Sequence, residues 1–166
     1  MAVDFFLKLE GIDGQSADKG HANWIEVFSL DHGAMQNVTM QRGADVAGRG
    51  QFLPFKFTHA VDKATPKLQQ FCMNGQKIAK AEFASCRAIA GVQVPVYEIK
   101  MENVKVAKAE VKTIEREGTA ELIEEAELIE EVELVVGKLT WKVTPIKPDN
   151  TKDGAIEAAF DQIANA

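Results

Sequence analysis

The sequence is poor in the residues that covalent cross-links, metal sites and catalytic sets require. Among 166 residues it has two cysteines, three histidines and three serines. Cys72 and Cys86 are 14 positions apart, outside the CxxC spacing of zinc and redox sites, so both are expected to be core thiols. No histidine or serine lies in a GxSxG or HExxH motif. We therefore expect no catalytic residues, no metal site and no cofactor, and do not expect an enzyme.

Basic residues are outnumbered by acidic ones, 19 to 25. The net charge is −6, and the stretch from Glu115 to Glu133 holds nine glutamates against the one Arg116. No basic face remains to neutralise phosphates, which argues against nucleic acid as a partner. No apolar run reaches the ~18 residues of a membrane span. The first residues lack the basic stretch of a signal peptide, so we expect a cytoplasmic chain that does not insert into a membrane.

Apolar patterning predicts a mainly β protein folded as one domain over residues 1–166. With only five prolines and 12 glycines, the composition fits neither a disordered nor a collagen-like chain. Short apolar runs bounded by turn residues are typical of strands, and the final run ends at Pro145 and Pro148. The predicted strands are residues 3–10, 24–30, 52–58, 78–89, 92–114 and 134–143.

One short helix is predicted over about residues 66–74. Thr65 is expected to offer a side-chain oxygen to the free N–H groups of the first turn, and Pro66 suits the first helical position because it has no N–H. Leu68 and Phe71 then share one face, and Asn74-Gly75 provides a left-handed stop. Thr65 and Pro66 are thus the predicted start of the helix.

Residues 41–50 are too rich in glycine and alanine for a strand, and we expect an extended loop there. Gly43 and Gly48 have the spacing of a phosphate-binding loop, but Arg49-Gly50 replaces the required Lys-Ser/Thr pair. The segment that follows is predicted as a strand instead of a helix. Nucleotide binding is therefore not expected.

A charged arm is predicted over residues 105–133, with lysines on its first strand and glutamates on its second. Two strands joined near Glu117-Gly118 would place opposite charges across from each other. The hexapeptide AELIEE occurs twice in succession, over 120–125 and 126–131. Its composition favours a helix, whereas its even period keeps Leu122 and Leu128 on one face of a strand. We favour the strand, on a solvated arm.

Five segments, spread over most of the chain, together carry a family resemblance: residues 1–16, 25–27, 57–68, 139–145 and 160–165. They resemble the haemolysin-coregulated protein (Hcp) family, the tube protein of type VI secretion. Residues 28–33 depart from the family pattern, and Asn74-Gly75-Gln76-Lys77 stands where the family often has Ser-Gly-Lys-His.

The resemblance implies a two-sheet antiparallel β-barrel with one flanking helix. It also implies a homo-hexameric ring that stacks into the inner tube of a secretion machine, contacts a contractile sheath, a spike protein and small effectors, and leaves the bacterial cytoplasm without a signal peptide. Loop 41–50 would contact the next ring, with Arg42, Asp45 and Arg49 as candidate contacts; a plain surface loop is the alternative. A second functional hypothesis is a ring-shaped carrier or chaperone that binds small effectors in its channel.

For the C-terminal tail, local pattern and resemblance disagree. Ile156, Ala159, Phe160 and Ile163 have helical spacing. The family resemblance implies a strand at the same place. We follow the resemblance and expect a strand.

Overall fold

The computed structural model describes residues 3–40, 43, 46–114 and 127–166, without the side chains of 46 and 47. In this part of the chain strands dominate, and no helix is long and apolar enough to cross a membrane. The elements are β1 (Val3–Leu9), β2 (Ile25–Val27), β3 (Ser29–Asp31), β4 (Ala34–Met35), β5 (Val38–Thr39), β6 (Val46–Ala47), β7 (Gln51–Phe52), β8 (Phe55–Ala60), α1 (Thr65–Asn74), β9 (Lys77–Ile89), β10 (Val92–Ile114), β11 (Glu127–Val143) and β12 (Ile156–Asp161).

The main sheet is antiparallel and curls into a nearly closed barrel. Its hydrogen-bonded order is β2-β1-β9-β10-β11-β8-β3, with β12 added to β11. The barrel closes at Phe28, because β2 before it pairs with β1 and β3 after it pairs with β8. The Phe28 N–H itself donates to the Thr58 carbonyl at 2.8 Å. The predicted mainly β fold, with an antiparallel barrel, is confirmed.

The barrel interior is filled by alternating apolar side chains. On β8, Phe55 and Phe57 are buried while Lys56 between them is exposed, the period-2 pattern of a strand with one face in the core. Phe83 on β9 packs its ring 6.0 Å from that of Phe55. Helix α1 lies against β10 and buries Leu68, so the helix completes the same core.

The helix begins and ends where the sequence predicts, but its N-terminal cap differs. Ala64 occupies the cap position and makes no side-chain cap hydrogen bond. The Thr65 hydroxyl accepts a hydrogen bond from the Asp62 N–H at 3.2 Å, and an Asp62 carboxylate oxygen accepts from the Ala64 N–H at 2.8 Å. The expectation that Thr65 caps the first turn was therefore wrong, because Thr65 is already helical. At the other end Gly75 adopts the expected left-handed conformation, with φ 67°.

The long strands of the predicted arm pair over their whole described length. Register partners run from Tyr97 with Val143 to Ile114 with Glu127, with one irregularity near Val106. The half of the hexapeptide repeat that is described, from Glu127 onward, is strand, as its even period predicts. The remainder of the repeat and the expected turn at Glu117-Gly118 lie outside the described residues.

The C-terminal segment is a strand, as the family resemblance implies, and the helix predicted from its spacing was wrong. In β12, Ile156 pairs with Val143 and Phe160 with Leu139. The pairing of β11 with β8 stops at Leu134. Beyond that point the backbone groups on this side of β11 need partners, and β12 supplies them. Tertiary pairing therefore overrides the local helical spacing.

Candidate assembly surfaces and buried polar clusters

Residues 34–39 and 46–52 form two short strand pairs, which are together called the hairpin below. Strand β4 pairs with β7, and β5 pairs with β6. The Gly48 N–H donates to the Asn37 carbonyl at 2.7 Å, and a Cβ at position 48 would lie 2.7 Å from that oxygen. Glycine is therefore required at this close approach. The expectation of a strandless loop over 41–50 was wrong for Val46–Ala47, because cross-strand bonds outweigh the weak strand propensity of that segment.

Of the three candidate stacking residues, the structure describes one. Arg49 is exposed and lies between β6 and β7. Arg42 and Asp45 lie outside the described residues. The stacking role of all three stays a prediction.

An apolar groove of about 970 Å³ lies between the hairpin and the C-terminal strand. Its floor is aromatic, because the ring of Phe52 meets Trp141 edge to face at 5.7 Å and Phe160 at 6.2 Å. Met35 on the rim is half exposed, and Arg49 adds one positive charge. The groove can accept apolar side chains, and sequence patterning did not reveal it because its walls come from distant segments.

Strand β12 forms a sheet edge beside this groove. It pairs with β11 on one side, and no described strand pairs with its other side. Ile156 at its start is 71% exposed. An unpaired strand edge with exposed apolar residues is an aggregation hazard in a monomer and a ready contact in an assembly.

Charges alternate in rows across the outer wall of the barrel. The lysine and glutamate side chains concerned are partly exposed, and their cross-strand ion pairs range from 3.0 Å for Lys112–Glu131 to 3.6 Å for Lys56–Glu133. Each such pair contributes a few tenths of a kcal/mol. Within the arm, Lys108 faces Glu133 but Glu110 faces Glu131, so the prediction of opposite charges across the arm is confirmed only in part. In register the rows are Lys8–Glu82–Lys100, Lys80–Glu102–Lys138–Asp161 and Asp31–Lys56–Glu133–Lys108.

One cluster contains the aspartate, histidine and cysteine of a typical cysteine-nucleophile site, but its thiol is not activated. Asp18 lies 2.8 Å from His21 Nδ1, and His21 Nε2 lies 3.9 Å from the sulfur of Cys86. Cys86 is fully buried, and burial, aided by the charge of Asp18, raises the pKa of its thiol to about 11. A thiolate is therefore disfavoured at neutral pH. His21 instead stacks on Phe6 at 4.3 Å, which fastens the segment after β1 to the outside of the sheet.

The other cysteine, Cys72 on α1, is partly buried, so the core-thiol expectation holds fully for Cys86 only. Among the residues that the structure describes, no group of three or more histidine, cysteine, aspartate or glutamate side chains is placed to hold a metal ion.

A second polar cluster lies inside the barrel wall at the start of β11. His59 Nε2 lies 2.7 Å from Glu130 Oε1, and both side chains are fully buried. Gln69 on α1 donates to the second oxygen of Glu130 at 3.3 Å, and Asp62 Oδ2 lies 3.5 Å from His59 Nδ1. The arm was expected to be solvated, and for Glu130 that expectation was wrong. The sequence showed His59 and Asp62 only as a local polar pair.

The cluster keeps His59 positively charged at neutral pH. Burial alone would lower the pKa of His59, but the hydrogen bond to Glu130 and the negative charges of Asp62 and Glu130 outweigh it and raise the pKa to about 9. The partly buried His32 behaves oppositely. His32 bonds to the neutral Tyr97 hydroxyl at 2.9 Å, and burial lowers its pKa. A carboxylate partner therefore decides which of these two imidazoles carries charge.

A nearly closed barrel with one flanking helix, an extended hairpin and an exposed sheet edge defines a small β-barrel protein of assembly type. The comparisons with known proteins point to one family. A family model described as "Type VI secretion system effector, Hcp" matches residues 6–143. Protein hcp1 of Pseudomonas aeruginosa is 31% identical over 155 residues, which cover 93% of this chain and 91% of that protein.

Solved structures agree. One described as a type six secretion system protein matches with a TM-score of 0.83 at 25% identity, over 99% of both chains. Hcp1 from Salmonella typhimurium matches with a TM-score of 0.75 at 28% identity, over 99% of this chain and 98% of that one. The chain belongs to the Hcp family, the ring-forming tube proteins of type VI secretion. It is a family of structural proteins and not of enzymes.

Proposed function

We propose that this chain is a structural subunit of the type VI secretion inner tube that closes into hexameric rings. The observation that carries the proposal is an edge of β12 with which no described strand pairs, beside an exposed apolar groove, on a barrel that closes at Phe28. Head-to-tail contacts between unlike surfaces of identical subunits generate rings when the rotation closes. When the edge and the groove are buried between subunits, they are no longer exposed to cause aggregation.

Stacking of rings is assigned to the hairpin. Arg49 belongs to it, and the other two candidate contacts, Arg42 and Asp45, lie in the sequence between its two halves. Gly48 supports this role because its close approach to Asn37 gives the hairpin a defined shape. A shaped hairpin orders fewer residues on contact than a free loop, so less conformational entropy is lost.

The remaining partners and the route of the protein follow the family. We expect contacts with a contractile sheath, a spike protein and small effectors, and release from the bacterial cytoplasm through the secretion machine. Catalysis and cofactors have no part in the proposed role of this single domain. The raised thiol pKa of buried Cys86 supports that view for the cluster with the most enzyme-like composition.

Negative-stain electron microscopy of the purified full-length chain tests this function. The expected images are six-fold rings at low concentration and end-to-end stacks of the same rings as the concentration rises. Compact single subunits at every concentration, or rings of another symmetry, would contradict the hexameric assignment.

A further inference from the structure

The inner faces of β8 and β11 each carry one ionisable residue in an otherwise apolar row. On β8 the row is Phe55, Phe57 and His59, and on β11 it is Glu130, Val132 and Leu134. In the observed register Leu134 faces Phe55, Val132 faces Phe57 and Glu130 faces His59. The one ionisable residue of each row, His59 and Glu130, therefore lies opposite the other.

We propose that His59 and Glu130 form a register key that fixes the alignment of β11 against β8. A shift of one residue would turn the apolar face of β11 outward, so a shift of two is the smallest that keeps it inside. Such a shift places Leu128 or Val132 opposite His59. It leaves a buried imidazolium and a buried carboxylate unpaired, and each is expensive to bury alone.

The outer faces of the same strands exclude only one of the two shifts. Lys56 faces Glu133 in the observed alignment. The shift that brings Val132 opposite His59 would place Val135 against Lys56 and lose this exposed ion pair. The shift that brings Leu128 opposite His59 would place Glu131 there, which carries the same charge, so the inner pair is needed to exclude it.

Two further contacts tie the key to the rest of the fold. Gln69 of α1 donates to Glu130 at 3.3 Å, and Asp62, in the segment that leads into α1, lies 3.5 Å from His59. A shifted β11 would lose the contact with Gln69 as well. The register of β11 against β8 is thereby coupled to the position of the helix.

The key is expected to determine which register forms, more than to raise the free energy of unfolding. A buried ion pair pays a large desolvation penalty, and replacing both members with apolar residues is often neutral or stabilising. The double variant His59→Leu with Glu130→Leu is therefore expected to fold. It leaves both inner rows continuously apolar, so that neighbouring registers become competitive.

Cysteine cross-linking within the full-length chain reads the register directly. In a Cys72→Ser background, Thr58→Cys with Glu131→Cys reports the observed register, in which these residues are opposite. Lys56→Cys with Glu131→Cys reports the shifted one. The disulfides are assigned by peptide mass mapping under a mild oxidant. Val132→Ile, which changes the same inner row but keeps the key, is the matched control.

The fraction of shifted cross-link is expected to rise about tenfold in the double leucine variant and to stay at the wild-type level in the control. An unchanged fraction in the double leucine variant overturns the proposal. If that variant does not fold, Glu130→Gln decides the question, because it keeps the shape of Glu130, removes its charge and leaves one acceptor oxygen for the two donors, His59 and Gln69, that Glu130 now serves. A rise of about threefold is expected there, and a wild-type fraction overturns the proposal.

Discussion

Glu130 and His59 are 71 residues apart in the sequence, yet an oxygen of one lies 2.7 Å from a ring nitrogen of the other, and both are fully buried. This contact joins the Glu-rich arm to the barrel strand that leads into the single described helix. It makes one glutamate of an acidic segment part of the protein interior. The other acidic residues of the arm that face Lys56 and Lys112 stay at the surface.

Glu130→Ala is predicted to destabilise the protein by about 3–5 kcal/mol, because it leaves the imidazolium of His59 buried beside a vacated position. Urea unfolding, followed by circular dichroism, measures the change. Glu133→Ala, which removes a partly exposed partner of Lys56, is the control and is expected to cost about 1 kcal/mol or less. Equal losses for the two variants would show that the burial of Glu130 does not matter.

Stability is predicted to fall by about 3 kcal/mol as the pH rises from 6.5 to 9. The pKa of His59 is raised in the folded state to about 9 from the ordinary 6.5. Its stabilising contribution is therefore complete below pH 6.5 and is lost as the pH rises through 9. The pKa of His32 is lowered, so its titration changes stability at pH values below this window. The pKa of the Cys86 thiol is raised, so its titration changes stability from the upper end of the window upward.

Urea unfolding at half-unit pH intervals measures this dependence. His32→Gln should keep the fall between pH 6.5 and 9, whereas His59→Gln should remove it. A wild-type stability that stays level over this window would contradict a charged His59.

The two thiols are predicted to differ in reactivity. Cys72 is partly exposed, whereas Cys86 is fully buried and its pKa is raised to about 11. Because the thiolate is the reactive form, a disulfide reagent at pH 8 should label Cys72 well before Cys86. Peptide mapping during the time course checks the order. Labelling of native Cys86 as fast as that of Cys72 would contradict its described burial.

Gly48→Ala is predicted to weaken ring stacking, because the added Cβ would lie 2.7 Å from the Asn37 carbonyl oxygen and distort the hairpin. Gly50→Ala is a closely matched control, since a Cβ there meets nothing within 4 Å. Sedimentation velocity separates rings from stacks. Equal stacking by both variants would argue against a defined hairpin shape in the contact.

Replacing Arg42, Asp45 and Arg49 together with alanine is predicted to block stacking while leaving single rings intact. The physical reason is the loss of every candidate charged contact at once. Sedimentation velocity again distinguishes the species. Loss of rings together with stacks would place these side chains in the ring contact instead.

Local signals in the sequence predicted the elements that local interactions determine. The helix was predicted over about residues 66–74 from Thr65-Pro66 and Asn74-Gly75. It is observed over Thr65–Asn74, so the start differs by one residue. At the tail, the same kind of spacing failed. Ile156 and Phe160 have helical spacing, but the free backbone groups of β11 beside Leu139 and Val143 turn the segment into a strand.

Contacts that depend on strand register could not be predicted from the sequence. The pairing of His59 with Glu130 requires knowing that β8 and β11 are neighbours and how they align. The aromatic groove likewise joins Phe52 to Trp141 and Phe160 across the chain. The resemblance supplied the fold and the ring, because it carries information about distant contacts that single-chain patterning lacks.

The native mass of the purified full-length chain tests the central claim most directly. Light scattering or native mass spectrometry at several concentrations should give six chains of 18.2 kDa, about 109 kDa, as the smallest stable species. A stable monomer at all concentrations would contradict the claim that this chain alone closes into the ring of the tube.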